Sequence, residues 1–351
     1  MDLDTLIITS FCEIDDMVNT LLAQLPKARL RQRGPQPTLH DSEVLCMEVI
    51  GAYLGLECDS AIYHYFRRHY AHFFPALPKL HDSEVLCMEV IGAYLGLECD
   101  SAIYHYFRRH YAHFFPALPK LHRTTFTRQA TNLCHLKERL WQHWLGTTPQ
   151  RRDFGLNFGL IDSLPLPVCR FARATFCHRF RYEDSQQLRA TYGYDHVARQ
   201  TFWGLRLHLH VAWPGLITGL TVAPAHQADV TVAPQLLHGQ AGITLGDRNY
   251  CSPQLQEHLC QSAPNLKLLT PYKNKKRDPA PTASRLLCHF RYRIETVFSQ
   301  LCGRLRCRQV GARDVWHLVN RLLRVVLCHT LCFKLNVQCG NPPLQLAKLL
   351  Q

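Results

Sequence analysis

Three acidic residues, Asp162, Asp247 and Glu295, occupy positions that suit chemistry better than surface solvation. Asp162 follows the apolar run Phe158-Gly159-Leu160-Ile161, which reads as a buried strand. Asp247 closes a second short buried run, Gly242–Asp247 (GITLGD). Glu295 lies on a basic helix predicted from Ser284 (SRLLCHFRYRIETVFSQLCGRL), surrounded by Arg285, Arg291, Arg293, Arg304 and Arg306. Each has an ordinary explanation. An Asp favours a strand-to-loop turn, and Glu295 with Arg291 four residues earlier makes a helix pair worth only about 0.3–0.5 kcal/mol. Together, though, they are the hard oxygen donors that two divalent ions about 4 Å apart require. One ion would activate an attacking water or 3′-hydroxyl and the other would stabilise the leaving oxygen; Mg²⁺ suits such ligands.

The intervening sequence predicts elements able to bring these acids together. Leu164-Pro165-Leu166-Pro167 is expected to stop the first strand, because proline donates no ladder hydrogen bond. Thr201–Trp213 alternates along Leu205, Leu207, Leu209 and Val211, with Arg206, His208 and His210 on the other face. A Pro214-Gly215 turn leads to a hairpin partner, Leu216–Val222, and a helix follows through Leu237. Beyond Asp247 come a helix at Gln254–Gln261, a strand at Leu266–Leu269, a loop holding Lys273, Lys275, Lys276 and Arg277, and a closing amphipathic helix, Val315–Leu335. Strand, hairpin, helix, strand, helix is the order an RNase H-like sheet requires, with the first and a later strand as neighbours.

The N-terminal part predicts helices only. Leu6, Ile7, Phe11, Ile14, Met17, Val18, Leu21 and Leu22 fall at helical spacing, and Arg29–Thr38 is a basic linker. His40–Leu80 then recurs without one change as His81–Leu121. Each copy reads as a buried helix, Ser42–Leu54 in copy one, and a second helix, Ser60–Phe74, that interleaves Arg67, Arg68 and His69 with aromatics. Solenoid units diverge and need about three copies, so two identical ones indicate an in-frame tandem duplication. The capping box Thr38-x-x-Asp41 before copy one becomes Lys79-x-x-Asp82 before copy two, which predicts a lost helix start. Phe126, Leu133, Leu136, Leu140 and Trp144 mark one face of a further helix. This basic helical unit suits DNA binding by a helix-turn-helix-like pair; a plain scaffold is its alternative.

A net charge of +13 points to a polyanionic partner, and a 47% hydrophobic content excludes a disordered chain. The stretch Arg170–Arg199 mixes Arg170, Arg173, Arg179, Arg181, Arg189 and Arg199 with Phe171, Phe176, Phe180, Tyr182, Tyr192 and Tyr194. It reads as a loop that could hold phosphates and stack on bases. The 16 Cys include no C-x-x-C pair, which argues for free thiols in a reducing cytoplasm over a zinc site. No apolar run approaches a membrane span; Val315–Leu335 is interrupted by Arg321, Arg324 and His329.

The motifs IDSLPLPVCRFAR, YGYD, FWGLRLHLHV, APAHQAD, GDRNY and RIETVFSQL, in this order after the duplicated helical block, resemble the insertion-sequence DDE transposases, most closely the insertion-sequence 982 group. The resemblance covers nearly the whole chain and implies metal-dependent cleavage and joining of DNA at terminal inverted repeats. Asp162, Asp247 and Glu295 match the catalytic, metal-holding acids. The implied cofactor is Mg²⁺, two ions, with Mn²⁺ as a substitute. The implied partners are double-stranded DNA at transposon ends and target, and a second copy in an active homodimer, in the cytoplasm of a bacterium close to its nucleoid. Arg291 matches the arginine of the pattern Y-x2-R-x3-E-x6-K, whose tyrosine and lysine fall on Cys288 and Cys302 here. His226 and Asp229 match a His-x-x-Asp element with a supporting role at most. The pattern has one copy of the repeated block.

The expected architecture is therefore α+β (mixed α/β). It has a helical DNA-binding-type domain at 1–150, an RNase H-like catalytic domain at 151–340 and a tail at 341–351. Arg170, Arg173, Arg179, Arg181, Lys273, Lys275, Lys276, Arg291 and Arg304 are the expected DNA contacts. Two other functions fit less of the sequence: a catalytically silent DNA-binding relic disabled by the duplication, and a general Mg²⁺ nuclease without preference for particular ends.

Overall fold

The computed structural model describes residues 80–147, 157–180, 188–309, 312 and 314–350. Copy one of the repeat and Arg181 lie outside them. The chain divides into two compact units, one holding 80–92 with 97–140 and the other 93–96 with 141–350.

The smaller unit is helical. Copy two forms α1 (Asp82–Tyr94) and α2 (Asp100–His110), followed by α3 (Arg123–Asn132) and α4 (Cys134–Thr147), whose last turns belong to the larger unit. The predicted loss of a helix start does not occur. Glu84 reaches back and accepts the backbone N–H of His81 at 2.6 Å, supplying the carboxylate half of a capping box without the hydroxyl half. α1 is buried almost all round, as its composition predicts, and even Glu89 is enclosed. Lys137 Nζ lies 2.6 Å from that carboxylate and 2.9 Å from the carbonyl of Ala130. α2 ends at His110, short of Pro116, because Tyr111 leaves the helical region at φ −131°. The single helix expected around Phe126–Trp144 is two, divided at Leu133, with all five predicted core residues buried.

The larger unit is built on a six-stranded mixed sheet: β1 (Phe158–Pro167), β2 (Thr191–Asp195), β3 (Gln200–Ala212), β4 (Leu216–Pro224), β5 (Gly242–Leu245) and β6 (Leu266–Leu269). The order is β2-β3-β1-β5-β6, with β4 also on β3. β2 takes the first end of β3, Gln200–Gly204, and β4 takes Leu205–Ala212. β1 runs antiparallel to β3 and parallel to β5, and β5 parallel to β6. α5 (Asp229–Leu237) and α6 (Pro253–Ser262) enclose a core of Ile161, Leu236, Tyr250, Leu259 and Leu268. α9 (Val315–Gln338) is buried over most of its length. Among the described residues no helix is long and apolar enough to cross a membrane.

One sequence expectation fails here, and β3 buries more than its pattern announces. The prolines do not stop β1, which continues to Pro167 opposite Gly204. The Val168 N–H donates to Trp203, so the even-numbered residues of β1 turn their backbone toward β3 and the odd ones away from it. β5 pairs only with Phe158–Leu160, leaving Pro165 and Pro167 on an edge where an N–H would have no acceptor. Leu205, Leu207, Leu209 and Val211 are buried as predicted, yet His208 and His210 on the opposite face are buried too. His210 bonds Thr218 on β4 at 2.6 Å and Thr244 on β5 at 3.0 Å, crossing Gly159 of β1, where any Cβ would collide with its ring. This face is covered by α5, which periodicity within β3 cannot reveal.

The basic stretch 170–199 is not one loop either. It contains a 3₁₀ turn at Phe171–Phe176 and the strand β2. The long basic helix likewise divides into α7 (Pro281–Phe290) and α8 (Tyr292–Gly303), with Arg291 at the joint.

Candidate active site

Asp162 and Asp247 meet because of strand register. The last pair joining β1 to β5 is Leu160 with Leu245, and each acid stands two residues beyond it on neighbouring parallel strands. Asp162 is thus mid-strand and not at the strand end, but it sits where β1 loses its neighbour. One carboxylate oxygen accepts the backbone N–H of Ser163 at 2.8 Å, and the other accepts Arg291 Nη2 at 2.7 Å. Asp247 caps the short turn Arg248–Tyr250, accepting the Asn249 N–H at 2.8 Å.

Electrostatics couple these groups. Burial pushes the Asp162 carboxyl up to about 6; Arg291 and the Ser163 N–H pull it down, and the charge of Asp247 adds to the rise. Asp247 is also raised, first by burial and further by Asp229, against the pull of Arg291. Burial opposes the charge on Arg291, but Asp162 and Asp247 outweigh it and its pKa is raised. Two crowded acids around one guanidinium hold more negative charge than that cation balances.

Glu295 is placed differently. It lies in the first turn of α8, its side chain is exposed, and it reaches the cluster through its field on Arg291. Among the described residues no three His, Cys, Asp or Glu side chains are gathered to hold a metal ion. The donor set at Asp162 and Asp247 still fits a divalent ion, because both oxygen ligands are hard and burial, the main cause of their raised pKa values, penalises carboxylate charge that a cation would stabilise.

The structure adds residues that sequence reasoning left aside. Asp229, the first residue of α5, lies with its Oδ1 3.7 Å from His208 Nδ1 and without a hydrogen bond. His208 is pushed down to about 4, first by burial and then by Arg206, so the neutral ring faces the carboxylate. The Tyr250 hydroxyl is buried without a hydrogen-bond partner, and its pKa is raised well above normal by burial and by Asp229, Asp162 and Asp247. Both residues belong to motifs noted above, APAHQAD and GDRNY, but only the fold shows that they converge. His226 goes elsewhere, bonding Thr191 at the start of β2.

The expected DNA contacts are scattered. Arg170, Arg173, Arg179, Lys273 and Lys276 are exposed. Lys275 opens a 3₁₀ turn ending at Arg277. Arg304 is half-buried with its guanidinium 4.2 Å over the ring of Tyr94, and Arg291 is engaged by Asp162. Cys288, at the tyrosine position of the resembled pattern, is exposed; Cys302, at its lysine position, has its sulfur 3.9 Å from that of Cys307.

In this mixed α/β domain the two acids stand two residues past the last paired positions of neighbouring parallel strands. Residues 154–310 match the family model of the transposase DDE domain, and this interval contains all three acids. The match supports a DDE-type transposase. No protein of curated function and no solved structure matches the chain.

Proposed function

We propose that this chain is a transposase of the insertion-sequence 982 type that cuts and joins DNA at the terminal inverted repeats of its element. The observation that carries the reading is the juxtaposition of Asp162 and Asp247 two residues past a shared register, within the stretch that matches the transposase DDE domain. The order of the sheet supports an RNase H-like catalytic domain, with β4, β3, β1, β5 and β6 in sequence across it.

Asp162 and Asp247 would hold the divalent ions, with Glu295 on the adjoining helix as the third carboxylate. Bound there, Mg²⁺ supplies charge neutralisation at the scissile phosphate and an activated water or hydroxyl nucleophile. Arg291, at the joint between two helices and paired with Asp162, would on release hold a phosphate oxygen of the strand being cut. Arg170, Arg173, Arg179, Lys273 and Lys276 offer exposed positive charge for the flanking backbone. Two ends must be brought together for joining, so the active form is a homodimer on DNA.

The test is Mg²⁺-dependent cleavage of a DNA carrying the element's inverted repeats by the full chain, by Asp247→Asn, and by a one-copy chain lacking Asp82–His122. Cleavage at the ends by the full chain, lost in Asp247→Asn, is the expected result. Cleavage by the one-copy chain alone would mean that the duplication has disabled a sound active site. No cleavage by any of the three would leave the DNA-binding relic as the reading.

A further inference from the structure

Five of the nine large apolar or aromatic side chains exposed among the described residues fall within 171–197: Phe171, Phe176, Tyr192, Tyr194 and Val197. Their clustering follows from local structure. β2 is the terminal strand of the sheet order, and its alternation turns Tyr192 and Tyr194 outward on either side of Gly193. The ring of Phe171 packs edge-on against Tyr192 at 6.1 Å, and Tyr192 against Trp203 of β3 at 4.7 Å. The row is anchored from below, since Tyr192 and Trp203 are register partners and the Trp203 carbonyl accepts the Val168 N–H.

Among the described residues, the exposed charge around this row is positive. Arg170, Arg173, Arg179, Arg189 and Arg199 are exposed. The one acid among the described residues from 168 to 204 is Asp195, which is 6% exposed and accepts the N–H groups of Val197 and Ala198. An apolar protein partner would cover the rings but offer nothing to the exposed guanidinium groups of Arg170, Arg173, Arg179 and Arg199. Duplex DNA would answer the arginines but keep its base faces stacked inside. Unpaired nucleotides present phosphates and bare base faces together.

We propose that this face, with Phe171 and Tyr192 at its centre, is a binding site for single-stranded DNA. The inference deepens the transposase reading and rests on it for the origin of the strand, the frayed end exposed beside a cut. β3 gives the distance. Trp203 lies six residues before Leu209, the register partner of Asp162, which is about 20 Å along the strand.

The experiment measures fluorescence anisotropy of a labelled twelve-nucleotide oligothymidine and of a duplex of equal length, with the full chain in EDTA so that no cleavage intervenes. Tyr192→Ala and Phe171→Ala should each weaken oligothymidine binding roughly ten-fold, within the range for loss of one base–aromatic stack. Duplex affinity should stay within two-fold, and Tyr192→Phe should restore single-strand binding. Because both rings are about half exposed, melting curves of the variants should overlay the parent. Unchanged oligothymidine binding in both alanine variants, or equal loss for the two DNAs, would overturn the proposal. Self-association through this face that oligothymidine does not displace would overturn it too. The readout needs no catalysis, so a failure of cleavage leaves this result standing, and the reverse holds.

Discussion

The two units each contain a short cation–carboxylate pair, and the pairs differ in what surrounds them. In the helical unit Lys137 and Glu89 are sealed, both side chains at 0% exposure, and the ammonium also holds the carbonyl of Ala130. In the sheet unit Arg291 and Asp162 each keep 19% exposure, a second acid stands beside them, and Arg291 Nε is without a partner. A pair whose charges match and whose surroundings are closed is a packing device. A pair carrying excess negative charge, open on one side, is in a state that a ligand can exchange. Equal distances at the two pairs thus hide opposite roles.

The comparison is broken most directly at the open pair's neighbour. Asp247→Asn should lower Mg²⁺-dependent end cleavage by about a thousand-fold or more, the scale of losing several kcal/mol of charge stabilisation. DNA binding, measured on the same preparation, should be unchanged or tighter, since one repulsive charge near phosphate is gone. Equal loss of both would make Asp247 a folding residue. The sealed pair should respond in stability instead. Lys137→Met removes the ammonium bonded to the buried Glu89 and should cost about 3–5 kcal/mol in urea unfolding, while Lys137→Met with Glu89→Leu should recover most of it. Arg291→Gln is expected to cost less than about 2 kcal/mol, because solvent reaches the charge it abandons. If its cost matches that of Lys137→Met, the two pairs are alike and the contrast fails.

A subtler test uses pH. The carboxyl of Asp162 titrates near 6 in the folded chain and near 3.9 when unfolded. Between these values the folded state binds the extra proton. The contribution of Asp162 to stability therefore falls as pH rises from about 4 to about 6 and is constant above that. Asp162→Asn should remove this component from a pH series of unfolding curves, and an unchanged profile would contradict the shift. The smallest effect is expected from removing a repeat. Because the copies are identical, deletion of Asp82–His122 leaves Glu48 to face Lys137, and the melting temperature should not fall. A clear fall would mean that both copies are structurally required.

Much of the sheet was legible in the sequence. Asp162 and Asp247 each follow a short apolar run, and their convergence needs only that the two runs be parallel neighbours, which β1 and β5 are. The strand Leu266–Leu269 and the hairpin across Pro214-Gly215 also follow from local pattern. What escaped was set by tertiary neighbours. The break at Arg291 has no proline or glycine to announce it. The burial of His208 depends on α5, and the placement of Asp229 and Tyr250 around the acids depends on how that helix and the Arg248–Tyr250 turn meet the sheet. The duplicated block is a fact of sequence whose first copy lies outside the described residues.

The motif Asp162-Ser163-Leu164-Pro165-Leu166-Pro167 does more than present one acid. Past the end of β5, the open flank of β1 would ordinarily invite another strand. Here its Ser163 N–H is already taken by Asp162, and Pro165 and Pro167 have none to give. On this flank the backbone thus has no free donor for a segment, from this chain or another, that would zip along it. The strand edge next to Asp162 is kept unpaired by withholding donors, with no need for a covering strand to end the ladder there.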